Sequence, residues 1–131
     1  MKKLILSCSI LIILGVLMTA CSGNTEKITQ DNNGQTISVV NGSKFTVSLA
    51  GNPTTGFNWE LANIDPKMLS LVGEPEYKAD SSLIGSGGMV TYTFQVLEAG
   101  TTNLKLVYRR SWEKDIAPEQ TFEVIVEATV K

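Results

Sequence analysis

"MVTYTFQV", residues 89–96, is the stretch whose reading decides the fold. Val90, Tyr92, Phe94 and Val96 occupy every second position, with Thr91, Thr93 and Gln95 between them. Successive side chains of an extended strand point to opposite faces, so this spacing puts one apolar row on a core and one polar row in water. β-branched and aromatic residues, which suit a pleated half-buried surface, dominate the stretch.

The same pattern extends outward in both directions. Beyond the turn at Glu98-Ala99-Gly100, Leu104, Leu106 and Tyr108 alternate with Asn103, Lys105 and Arg109, and Phe122, Val124 and Val126 are set against Glu123 and Glu127. Upstream, Phe45, Val47 and Leu49 alternate with Lys44, Thr46 and Ser48, and Phe57, Trp59 and Leu61 with Asn58 and Glu60. Val107 and Ile125 break the alternation, and Ile125 fits a partly covered outer face. Six or seven short strands separated by turn signals predict an all-β domain, an immunoglobulin-like antiparallel β-sandwich. "DPKMLSL", residues 65–71, alone suits a helical turn, with Asp65 as cap and Pro66 at the first helical position. No motif recurs at a fixed period.

The beginning of the chain reads as an address. Lys2 and Lys3 precede an apolar run from Leu4 to Leu17, shorter than the roughly 20 residues of a spanning helix, and the run ends at Met18-Thr19-Ala20-Cys21. Residues 1–20 are therefore expected to be a signal peptide that is removed. The cut site resembles a bacterial lipobox, although Met18 stands where leucine is usual, and the resemblance implies lipid on Cys21 as the new N-terminus. Residues 21–35 contain one large apolar side chain, Ile28, among polar ones and read as a flexible tether. Residues 36–131 then form the sandwich. Export, and attachment to the membrane of the cell envelope through Cys21, follow as expectations.

Composition narrows the function. Without Lys2 and Lys3, nine basic side chains face thirteen acidic ones, so the formal charge is −4 instead of −2, and only Arg109-Arg110 are adjacent. Nucleic acid is not an expected partner. The chain has no histidine, and of its two cysteines Cys8 lies in the signal and Cys21 carries the lipid. Histidine-dependent triads, the usual zinc sites and a disulfide framework are all excluded. No pair of carboxylates converges in the sequence, so neither enzyme activity nor a cofactor is expected, and the domain is expected to be a monomer.

Three irregular runs interrupt the strands: "GNPTTG" at 51–56, "DSSLIGSGG" at 80–88 and "RRSWEKDIAPE" at 109–119. Loops on a rigid sandwich are common mounts for binding residues. The first is also a plausible plain turn, with Pro53 fixing φ and Gly56 taking a positive one. The second has too few side chains to hold a partner at a distance, and the strand after it rules out a phosphate loop. In the third, the alternation gives Trp112 no core position, and a tryptophan beside Arg110 has the composition of a binding hot spot. Trp59, sharing a face with Phe57 and Leu61, is expected in the core.

Together these runs resemble the chagasin family of cysteine-protease inhibitors, whose loops carry Asn-Pro-Thr-Thr-Gly plus an aromatic, then Gly-x-Gly-Gly, then Arg-Pro-Trp. Here they read "NPTTGF" at 52–57, "GSGG" at 85–88 and "RSW" at 110–112, with Ser111 in place of the proline. The resemblance runs from about Val39 onward. It implies a reversible, competitive inhibitor whose three loops enter the cleft of papain-like proteases. Thr54 and Thr55 would lie nearest the catalytic cysteine, Pro53, Gly56 and Phe57 would shape that loop, and Asn52 would brace it. Gly85, Ser86, Gly87 and Gly88 would run along the cleft wall and pair with enzyme backbone, and Trp112 would pack on the enzyme with Arg110 and Ser111 beside it. The competing expectation is a non-inhibitory envelope module for adhesion or carbohydrate binding, in which Trp112 and Tyr77 stack on sugar rings.

Overall fold

The computed structural model describes residues 25–131, and both the expected signal peptide and the expected lipidation site Cys21 lie outside them. Among the described residues there are nine strands: β1 (Glu26–Thr29), β2 (Thr36–Val40), β3 (Lys44–Gly51), β4 (Phe57–Asn63), β5 (Leu69–Leu71), β6 (Glu76–Ala79), β7 (Gly88–Val96), β8 (Gly100–Arg110) and β9 (Gln120–Thr129). One sheet runs β1-β3-β7, with β5 and β6 lying end to end along the far edge of β7; the other runs β2-β9-β8-β4.

The predicted apolar rows meet between the sheets. Phe45, Val47, Leu49, Phe94 and Val96 come from the first sheet and Leu104, Leu106, Phe122, Val124 and Val126 from the second, each at most 1% exposed. Burying each such side chain contributes about 1.5–3 kcal/mol, which is how the described residues, which contain no cysteine, hold their fold. Phe45 and Phe94, directly paired across β3 and β7, also stack at 5.3 Å. Trp59 is buried as expected. The two irregular positions separate: Val107, opposite Glu60 and Thr121, is buried, while Ile125 is 44% exposed on the outer face.

The expected tether needs correction, because residues 26–29 are strand β1. Ile28, the single apolar residue of that run, is 1% exposed and pairs with Val47, so its burial fastens β1 to the core. A 3₁₀ turn at Gln30–Asn32, held by the Asn32 Oδ1 atom accepting from the Thr29 amide, carries the chain across to the second sheet. The sandwich thus includes residues 26–29 and is not confined to residues 36–131. β1 on β3 and β2 on β9 are parallel pairs, so the antiparallel sandwich carries two parallel edge strands. The turn at Asp65 forms, with its carbonyl accepting from Met68 and Leu69, but the chain leaves it at once as β5.

Candidate functional site

Topology brings the three irregular runs together. Residues 52–56 cross from β3 in the first sheet to β4 in the second. At the same end, residues 80–87 join β6 to β7 within the first sheet, and residues 111–119 join β8 to β9 within the second. The crossing loop therefore lies between a hairpin from each sheet.

Its conformation is set from inside. Asn52 is extended and caps a 3₁₀ turn at Pro53–Thr55, its Oδ1 accepting from the Thr54 amide at 3.2 Å and the Thr54 hydroxyl at 2.5 Å. The Thr55 hydroxyl donates to the Asn52 carbonyl at 2.7 Å. Pro53 presets the first turn position, and Gly56 closes the turn at φ 81°, a region open to glycine at little cost. The base is pinned to the core: the Asn52 amide donates to the Tyr108 hydroxyl at 2.9 Å, and the Trp59 indole N–H donates to the Ala50 carbonyl at 2.9 Å. Thr54 and Thr55 stand exposed at the apex.

Each flank is tied to this centre. On one side, Asn52 Nδ2 donates to the Gly85 carbonyl at 3.0 Å. On the other, the Trp112 ring rests against Gly56, where an added Cβ would lie 2.6 Å from the indole. Trp112 remains 68% exposed, which places it outside the core as the alternation requires. Arg110 is engaged three ways: its guanidinium lies 4.4 Å from the centroid of Phe57, Nε donates to the Thr55 carbonyl at 3.3 Å, and Nη1 pairs with Glu113 at 3.1 Å. Phe57 in turn stacks on Tyr108 at 5.4 Å.

Several expected contact residues thus belong to the frame. Arg110 and Phe57 shape the central loop from beneath. Gly88 is buried inside β7, between Gly51 and Ala79, and a Cβ there would run into the Lys78 carbonyl, so its missing side chain serves internal packing. The expected strand-like pairing of residues 85–88 with a partner is restricted too. The carbonyls of Gly85, Ser86 and Gly87 accept from Asn52, Tyr77 and Asp80, and the Ser86 amide donates to Leu83.

What the flanking loops do expose was not singled out from the sequence. Leu83 and Ile84, 75% and 106% exposed, form the tip of the glycine-rich loop, and Ile116, 60% exposed, lies in the loop of Trp112. The signal was available, since "LI" interrupts a polar run at 83–84 and no alternation offers it a core position. Among the described residues no group of histidine, cysteine and acidic side chains could hold a metal. Two concavities, around Asn103 and Glu123 and around Ser48 and Thr91, lie on the outer faces of the sheets, away from the loops.

A sandwich that presents one stiffened loop between two apolar-tipped hairpins is a protein-binding module built on preorganised loops. Residues 38–126 match the model of the chagasin family peptidase inhibitors, I42, and the chain belongs to that family, one of inhibitors and not of enzymes. It is 32% identical to chagasin of Trypanosoma cruzi over 108 residues, 79% of this chain and 98% of chagasin. To amoebiasin-1 of Entamoeba histolytica it is 33% identical over 102 residues, 76% of this chain and 95% of that one. Among solved structures, a cysteine protease inhibitor from Entamoeba histolytica shares the fold with a TM-score of 0.71 at 24% identity, over 80% of this chain and 95% of that one.

Proposed function

We propose that this chain is a reversible, competitive inhibitor of papain-like cysteine proteases, which fills the active-site cleft with residues 52–56 and grips its two walls with the flanking loops. The observation that carries the reading is the two-sided fastening of the "NPTTG" loop, through Asn52 to Gly85 and through Gly56 and Thr55 to Trp112 and Arg110. A loop already held in shape loses little entropy on docking, so a limited contact area binds tightly. Thr54 and Thr55 enter as a closed turn, their amides and hydroxyls donating to Asn52 and the Thr55 carbonyl accepting from Arg110, so no extended peptide is offered in line for attack. Leu83, Ile84, Trp112 and Ile116 supply apolar surface on either side.

The same reading makes the protein a monomeric lipoprotein, exported by residues 1–20 and held at the cell envelope by lipid on Cys21. The sugar-binding alternative is not favoured by the geometry. Tyr77, its hydroxyl bound to Ser86, belongs to the glycine-rich flank and Trp112 to the opposite one, with residues 52–56 between them, so the two rings share no platform.

The test is a titration of papain with residues 22–131. Competitive, reversible loss of activity is expected, abolished by Thr54→Arg with Thr55→Arg at unchanged melting temperature. Full papain activity at saturating inhibitor, repeated across related cysteine proteases, would remove the reading.

A further inference from the structure

The ends of the sandwich are occupied unequally. The loops of the inhibitory reading gather where β3 and β8 finish and β4, β7 and β9 begin. β1 is parallel to β3 and enters at the other end, Glu26 being paired with Phe45, the second residue of β3. That opposite end is made by three crossings between sheets: the turn at residues 41–43, the connection at 64–68 and the turn at 97–99. They are locked to one another, with Gly42 donating to the Val96 carbonyl, Val96 to Ser43, and Leu97 to Met68. The end exposes three aliphatic side chains, Val40 at 41%, Leu97 at 45% and Val130 at 80%, beside Lys44 and Lys67. Glu26, Asp65 and Glu98 also lie there, against Lys44, Lys67 and Lys131, so it has no strong net charge.

Only residues 22–25 separate Cys21 from β1. Five chain steps reach at most roughly 18 Å when fully extended. From Phe45 to Gly51 the sandwich rises about 20 Å along β3, before the loops are added. An anchor leaving the Glu26 end therefore cannot reach round to the loop end and press it to a membrane.

We infer that the mature protein stands on the membrane by the end opposite its loops, with Val40 and Leu97 toward the lipid surface and the "NPTTG" apex directed away from it. This rests on lipid at Cys21, proposed above. The partner of this surface is the bilayer that holds the chain's own acyl groups, and the lack of net charge makes the lipid, not anionic headgroups, the source of attachment. The short segment 22–25 acts as a geometric restraint, which keeps the inhibitory loops open to a soluble protease.

The experiment uses residues 21–131, which contain the whole sandwich and one cysteine, coupled through Cys21 to maleimide-phospholipid in neutral vesicles. Papain inhibition and iodide quenching of tryptophan are read for free and anchored protein; Trp112 is the responsive ring because Trp59 is 5% exposed. Anchored protein is expected to inhibit as well as free protein and to remain equally quenched. A second chain, Cys21→Ser with Lys114→Cys, is anchored by its loop end. Relative to its own free form it is expected to lose inhibition by at least about tenfold and to shield Trp112, because the bilayer and the protease then compete for one face. Shielding of Trp112 when Cys21 is the anchor overturns the orientation and leaves the inhibitor reading standing. Absence of inhibition by the free domain fails the inhibitor reading, while the quenching still decides the orientation. An unmodified Cys21, found by mass in the protein recovered from cells, overturns the lipid attachment and the orientation with it.

Discussion

Asn52 holds the central loop by three different groups. Its side-chain oxygen caps Thr54, its side-chain nitrogen reaches Gly85, and its backbone amide reaches Tyr108. Asn52→Ala removes the first two and keeps the third. Each such bond contributes a net ~0.5–1.5 kcal/mol, so papain inhibition is expected to weaken about tenfold or more, with little change in the urea midpoint because the loop lies outside the core. Equal losses of inhibition and of global stability would show that Asn52 acts through the fold. Gly56→Ala tests the other flank. A side chain at φ 81° costs about 1–2 kcal/mol and its Cβ meets the Trp112 ring, so the ring must leave its seat. A red shift of the Trp112 emission together with weaker inhibition is expected; an unchanged spectrum would show that the ring does not depend on Gly56.

At the scale of elements, β1 and the turn after β8 carry the sharpest tests. Ile28→Ala opens a cavity beside Val47 and is expected to cost about 2–5 kcal/mol in urea denaturation, where a tether residue would cost nothing. The alternating strands β3, β4, β7, β8 and β9 were legible because each is long enough to show its period, and Trp59 in the core with Trp112 outside it followed from the same rule. β1 was not legible, since four residues with one inward apolar side chain do not establish a period, and its partner is supplied only by tertiary packing. The three loops could be picked out by their motifs. That Arg110 would fold over Phe57 and reach the Thr55 carbonyl depended on cross-strand register that no single segment encodes, whereas the exposure of Leu83 and Ile84 was there to be read. Ser111 shows how register restores meaning to a departure from the family motif. Glu113 donates to the Arg110 carbonyl, so Ser111 is the second residue of a four-residue turn, the position that proline suits best. Ser111→Pro is accordingly expected to stiffen the turn by about 0.4–1 kcal/mol and tighten inhibition about two- to fivefold. A weaker inhibitor would mean that the backbone there cannot accept the proline ring.

For the whole molecule, the stiffness of the loop end depends on polar tips that join the sheets through an otherwise apolar core. The Tyr92 hydroxyl in the first sheet donates to the Trp59 carbonyl in the second at 2.6 Å, and the Trp59 indole returns to Ala50 at the base of the central loop. Burial pushes the Tyr92 phenol above its ordinary value of 10.0, and the Glu60 carboxylate adds to the rise. The sign of the stability effect follows. The unfolded chain releases this proton first, so the contribution of Tyr92 is complete below pH 10.0 and declines as the pH climbs from there through the raised folded value. Tyr92→Phe is expected to lower stability by about 1–2 kcal/mol at neutral pH, because the Trp59 carbonyl loses its donor. The difference between wild type and variant should then shrink above pH 10.0, as wild type loses the same interaction by ionisation. Urea midpoints for both proteins from pH 7 to 11 measure this directly. All other ionisable groups are common to both chains and cancel in the difference. A gap that stays constant to pH 11 would show that Tyr92 releases its proton at the same pH in the folded and the unfolded chain, and would separate the bridge between the sheets from the alkaline limit of the fold.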